Sequence, residues 1–88
     1  SDMGRNELIE VAYNARCGVA RRIALVWLND PSISASFAKE DPDPMVRRRL
    51  VRSLRDRNVL EHILDSDDDD SVRETAQKRL DELDESQP

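Results

Sequence analysis

The sequence predicts an all-α fold made of about three copies of one two-helix unit, each 26 residues long. Three observations carry this reading. The pairs Ala20-Arg21, Val46-Arg47 and Val72-Arg73 lie 26 positions apart. The same offset relates Ala24, Leu50 and Ala76, then Leu28, Leu54 and Leu80. It also links Ile33 to Val59, Phe37 to Ile63, Ala38 to Leu64 and Asp41 to Asp67, and one step back it sets Val11 at the place of Phe37. Finally, no stretch alternates apolar and polar residues between turn glycines, so no strand is expected.

The elements follow in chain order within a single domain spanning 1–88. Ser1-Asp2-Met3 reads either as native sequence or as an added leader. Leu8, Val11, Ala12 and Ala15 share one helical face, which predicts a covering helix over residues 5–16. Residues 17–83 hold the repeats. In each unit the second helix is expected to be the longer, with Val46, Leu50 and Leu54 at i, i+4 and i+8. Its start is marked by Asp41-Pro42-Asp43-Pro44, where the Asp43 carboxylate would cap free backbone N–H groups. Pro44 suits the first helical position, which needs no N–H partner. In the third unit Asp70 or Ser71 would cap, with Glu74 completing a capping box. The first segments, around 33–39 and 59–64, are about two turns long, form by packing on their neighbours and are short enough for 3₁₀ geometry. The polar residues 84–88 are expected to fray.

These residues resemble a known family. The run Phe37-Ala38, Asp41-Pro42-Asp43-Pro44-Met45-Val46-Arg47, preceded by Asn29-Asp30-Pro31-Ser32-Ile33, is similar to the leucine-rich repeat variant and to HEAT and armadillo-like α-solenoids. The resemblance covers roughly residues 17–83. Its Asp-x-x-x-x-Val-Arg element stands complete at Asp41/Val46/Arg47 and Asp67/Val72/Arg73. In the first unit Ala15 and Ala20 replace the aspartate and valine, as in a degenerate or capping copy. The unit is long for the variant and short for a HEAT repeat, so either name fits. The resemblance implies a short right-handed α-solenoid used as a protein-interaction or scaffold module. The cysteine-rich iron–sulfur segment of some relatives has no counterpart, and no cofactor is expected.

Composition narrows the function. Fourteen basic against 19 acidic residues among 88 give a net charge of −5, a poor balance for general binding to nucleic acid or an anionic membrane. No apolar run approaches the roughly 18–20 residues a membrane span needs. The lone Cys17 closes no internal disulfide, so a reducing cytoplasm is the expected setting. An enzyme is not expected: His62 is the only histidine and nothing pairs it with Cys17, whose thiol reads as buried or incidental. The run Asp65-Ser66-Asp67-Asp68-Asp69-Asp70-Ser71 resembles a calcium loop only in its first carboxylates. Asp70 stands where the glycine belongs and Ala76 where the bidentate glutamate belongs. It reads as a solvated loop whose last carboxylates favour the next helix start.

Three groups remain as candidates. Arg47 and Arg73 recur with the repeat and read as structural, with Asp41 and Asp67 in the preceding loops as partners; Arg21 lacks that aspartate and reads as freer. Arg48, Arg52 and Arg55, at i, i+4 and i+7, would form one stripe opposite the Val46/Leu50/Leu54 face, with Arg49 at its edge. That stripe reads as a solvated face, as a site for an acidic protein or a self-contact, or as a nucleic-acid contact, the last disfavoured because the other units do not maintain it. Val19, Ile23, Val26 and Trp27 make the first repeat helix apolar over more than half its circumference. The covering helix is the expected lid on this face. The alternative is an exposed patch that docks a partner or a second copy, with Trp27 as anchor.

Overall fold

The computed structural model describes residues 4–85 as six α-helices and, among the described residues, no strand. They are α1 (Arg5–Asn14), α2 (Gly18–Leu28), α3 (Pro31–Glu40), α4 (Pro44–Val51), α5 (Arg57–Ser66) and α6 (Asp70–Glu85). The odd-numbered helices begin at residues 5, 31 and 57 and the even-numbered ones at 18, 44 and 70, so both sets recur at the spacing of the sequence pattern. Each odd helix packs on the even helix that follows it. Across these hairpins α2 meets α4, α4 meets α6 and α3 meets α5, which sets two layers in a slab of 40 × 30 × 16 Å.

Local chemistry explains the boundaries. Asp43 accepts from Met45 N at 2.9 Å ahead of Pro44, as the sequence predicts. The same device starts α3, where Asp30 accepts from Ser32 N and Ile33 N, and α5, where Asp56 accepts from Asn58 N and Val59 N. At α6 the cap is Asp69 rather than Asp70 or Ser71. Its Oδ1 accepts from Ser71 N, Val72 N and the Ser71 hydroxyl. Asp69 lies 26 residues after Asp43, so the repeat register locates the cap better than the capping-box pattern does. Asn29 ends α2 in the left-handed region, φ 50°, which asparagine tolerates better than most residues.

Several lengths differ from expectation. Helices α3 and α5 each have 10 residues and are α-helical, not 3₁₀. In the second unit the order of lengths reverses, because α4 has only 8 residues. After Val51 the chain tightens into turns: Ser53 N and its hydroxyl both donate to Leu50 O, and Leu54 N donates to Val51 O. Arg79 of α6 donates to Leu54 O at 2.7 Å and satisfies a carbonyl the shortened helix leaves open. Helix α1 stops at Asn14, short of the expected residue 16. Residues 84 and 85, expected to fray, belong to α6, where Asp84 pairs with Arg57. The rest of that tail and Ser1-Asp2-Met3 lie outside the described residues.

The core joins both layers. Ala24, Leu28, Val46, Leu50, Leu54, Val72, Ala76 and Leu80 are buried as their period requires, with Ala12, Ala38, Leu60 and Ile63 from the odd helices. Leu25 and Val51 are also fully buried, while Gln77, at their register in α6, is exposed. Helices α2 and α4 each have a later even helix beside them and α6 has none among the described residues, so only the first two need an apolar side chain there.

Candidate docking face

The repeated arginines sort out first, because they prove to be framework. Arg21 Nε and Nη2 donate to the two Asp41 oxygens at 2.8 and 2.9 Å, and Arg21 Nη1 donates to Ala15 O at 2.8 Å. Arg47 repeats the pattern one unit on. It donates to both Asp67 oxygens at 2.9 and 3.1 Å and to Asp41 O at 2.7 Å. Arg73 donates to Asp67 O and pairs with Asp70. Each of the first two arginines therefore takes its carboxylate from the unit ahead, 20 residues on, and only a backbone carbonyl from the loop behind. The expected loop partners do accept hydrogen bonds, Asp41 from Arg47 and Asp67 from Arg73, but through backbone carbonyls, while the ion pairs of Arg21 and Arg47 run to the unit ahead. A backbone carbonyl is available from any residue, so Ala15 serves as well as an aspartate, and Arg21 is buried and fully engaged rather than free. Donating to the Asp41 carboxylate holds the Arg21 guanidinium above its ordinary pKa range.

The acidic run is engaged too. Asp67 is nearly buried under Arg47 and accepts from Asp69 N, Asp68 reaches Arg47, Asp69 caps α6 and Asp70 holds Arg73. Asp67 and Asp69 tie the run into the fold, while Asp65, Asp68 and Asp70 stay exposed as expected of a solvated loop. Among the described residues no group of three His, Cys, Asp or Glu is placed to hold a metal ion.

The arginine stripe does not form. Since α4 ends at Val51, Arg55 leaves the helix and lines a cleft of ≈ 840 Å³ with Asn29, Asp30 and Pro31 at the start of α3. Arg52 faces the other way, into a cleft beside Lys78 and Arg79 of α6. Arg48 is half-buried, with Nε shielded from solvent and without a partner and Nη2 at 3.2 Å from the Met45 sulfur. The three residues thus address three surroundings.

The apolar patch does form, and among the described residues no lid covers it. Val19, Ile23, Val26 and Trp27 on α2 and Met45 on α4 are between 48% and 66% exposed. Helix α1 packs on α2 from another side, with Ala12 fully buried. The expectation that the covering helix hides these side chains is therefore wrong, and the reason is geometric. Ala24, Leu25 and Leu28 already turn into the core shared with α1 and the later hairpins, which leaves the opposite side of α2 outward. Tyr13, the other exposed aromatic, leans on Phe37 with ring centroids 5.0 Å apart.

The repeat register shows what borders the patch. Val19, Ile23 and Val26 correspond to Met45, Arg49 and Arg52 in α4, and to Ser71, Thr75 and Lys78 in α6. The even-helix surface thus passes from apolar on α2 to cationic on α4, and on α6 to Lys78 among Ser71, Thr75 and Glu74. Arg22, Arg49, Arg52 and Lys78 form no ion pair among the described residues. The i, i+4, i+7 spacing puts Arg52 with Arg48 and Arg55; the 26-residue register instead sets it in one column with Val26 and Lys78.

Cys17 is exposed rather than buried, at the N-cap of α2, where its sulfur closes no capping hydrogen bond. The backbone N–H groups of Ala20 and Val19 favour the thiolate and hold the thiol below its ordinary value of 9.0. Gly18 follows because α4 comes close: a Cβ there would stand 2.5 Å from Asp43 Oδ2 and 3.0 Å from Val46 Cγ2. No helix among the described residues is long and apolar enough to cross a membrane. Comparison of the chain with protein families, with curated proteins and with solved structures finds no match.

Proposed function

We propose that the chain is a short right-handed HEAT-like α-solenoid, close to the leucine-rich repeat variant, and that it works without catalysis as a docking module for another protein in a reducing, cytoplasmic setting. One observation carries the docking role. Four large apolar side chains of α2 and Met45 of α4 stand on the outside of a domain whose core is complete without them. A small domain gains nothing in stability from exposed tryptophan, isoleucine and valine gathered on one helix face, and such patches mark contact surfaces. The solenoid reading is supported by helix starts at the sequence period and by arginine–aspartate pairs that recur between successive units.

The test compares the wild-type chain with an Ile23→Ser/Val26→Ser variant as baits in nuclease-treated native extract. A protein retained by the first and lost by the second, with helicity and melting temperature unchanged, is the expected result. Equal capture by both baits overturns the role. The nucleic-acid alternative rests on a continuous stripe of Arg48, Arg52 and Arg55, and the end of α4 at Val51 counts against it.

A further inference from the structure

Resting on the docking role proposed above, we infer that the occupant of this face is an acidic amphipathic helix of another protein, with its apolar side on Val19, Ile23, Val26 and Trp27 and its carboxylates toward Arg49, Arg52 and Lys78. The chemistry of the surface selects that partner. Five exposed apolar side chains call for an apolar face in return, and helix-in-groove recognition uses anchors at i, i+3, i+4 and i+7. The strip on α2, at residues 19, 23, 26 and 27, has this helical spacing itself. The border is cationic and unpaired, apart from Arg79, which already reaches Glu82, and the nearby Glu74. A partner with carboxylates on one flank would supply the missing counter-charges; a basic partner would add repulsion.

The same charges argue against a second copy. Two-fold packing of α2 on α2 would gather Arg49 and Arg52 of both copies around one interface. Head-to-tail packing would need a second apolar surface, yet outside the patch the one exposed large hydrophobic among the described residues is Tyr13, which leans on Phe37. A lipid surface is the remaining occupant with matching chemistry, and the acidic junction at Asp67–Asp70 together with a net charge of −5 speaks against it.

Trp27 is the only tryptophan and reports directly on the face. The probes are two synthetic peptides of about 18 residues, enough for five helical turns. Both lack tryptophan and share one leucine face, with glutamates on the flank of one and lysines on the flank of the other. The glutamate peptide is expected to shift Trp27 emission to the blue in a saturable way and to weaken with added salt. The Arg49→Glu/Arg52→Glu variant is expected to bind it about tenfold more weakly, with unchanged circular dichroism. Equal binding of both peptides, or no loss in the variant, overturns the inference. So does a blue shift that appears on raising protein concentration alone, which would name a second copy, or one that appears only with phosphatidylglycerol vesicles, which would name a lipid surface. If capture from extract depends on Ile23 and Val26 while the glutamate peptide shows no preference, the docking role stands and the acidic helix falls. If neither depends on the face, both fall.

Discussion

Arg21 on α2 reaches 20 residues forward to grip both carboxylate oxygens of Asp41, and the Asp41 side chain is wholly buried beneath it. Asp41 Oδ1 also accepts from Asp43 N, so one carboxylate joins the first hairpin to the start of the second. Arg47 and Asp67 do the same between the second and third.

Breaking one half of that pair leaves a buried charge without its partner, which costs about 3–5 kcal/mol. Arg21→Ala and Asp41→Asn are each expected to lose stability of that order in urea unfolding, a large share of what a small domain has. The double variant Arg21→Met/Asp41→Leu is expected to lose much less, because it removes both charges. A loss equal to the sum of the two single variants would contradict the coupling.

Leu25 and Gln77 hold the same register, one buried between helices and one exposed. Leu25→Ala is expected to cost about 2–5 kcal/mol, as core truncations do. Gln77→Ala should change stability by less than about 0.5 kcal/mol. Thermal or urea melts of the two variants side by side give the comparison.

Asp69 caps α6, and the Ser71 hydroxyl, then the Val72 N–H, hold its carboxyl below the ordinary value of 3.8. A lowered carboxyl pKa means stability present above the unfolded value and lost as pH falls through the folded one. Asp69→Asn keeps a capping oxygen but cannot titrate. Its stability should therefore trail wild type at neutral pH and converge with it below about pH 4. A constant gap down to acid pH would contradict the assignment of the cap. Asp70→Ala, one residue away, should leave the start of α6 formed.

Ile23→Ser/Val26→Ser removes exposed side chains only, so the melting temperature should move little, with a stability change within about 0.5 kcal/mol per site. A large drop in differential scanning calorimetry would show instead that the patch is part of the core.

Cys17 is exposed, and its thiol is held below the ordinary 9.0 by the backbone N–H groups of Ala20 first and of Val19 next. Alkylation by iodoacetamide is expected to follow a pH profile whose midpoint lies below that of a free cysteine side chain. A midpoint at or above the ordinary value would mean that these N–H groups do not reach the sulfur.

The division between sequence and structure runs along the physics of each feature. A helical period is a property of the chain itself, so the 26-residue offset was enough to place six helices, most of the core and the Asp43 cap. The caps at Asp30, Asp56 and Asp69 were legible in the same way, through their register, although only Asp43 was picked out. What the period does not contain is which unit a long side chain reaches into. Arg21 and Arg47 each find their carboxylate in the next unit, because packing brings the forward aspartate beside the guanidinium and leaves only a carbonyl from the loop behind. Nor does the period tell which side of α2 the first helix covers. That followed from how α1 and α2 pack, and it left Val19, Ile23, Val26 and Trp27 outside. Local interactions wrote the helices and their ends into the sequence. The partners of the arginines and the exposure of the α2 face arise between units distant in the chain, and only the folded arrangement decides them.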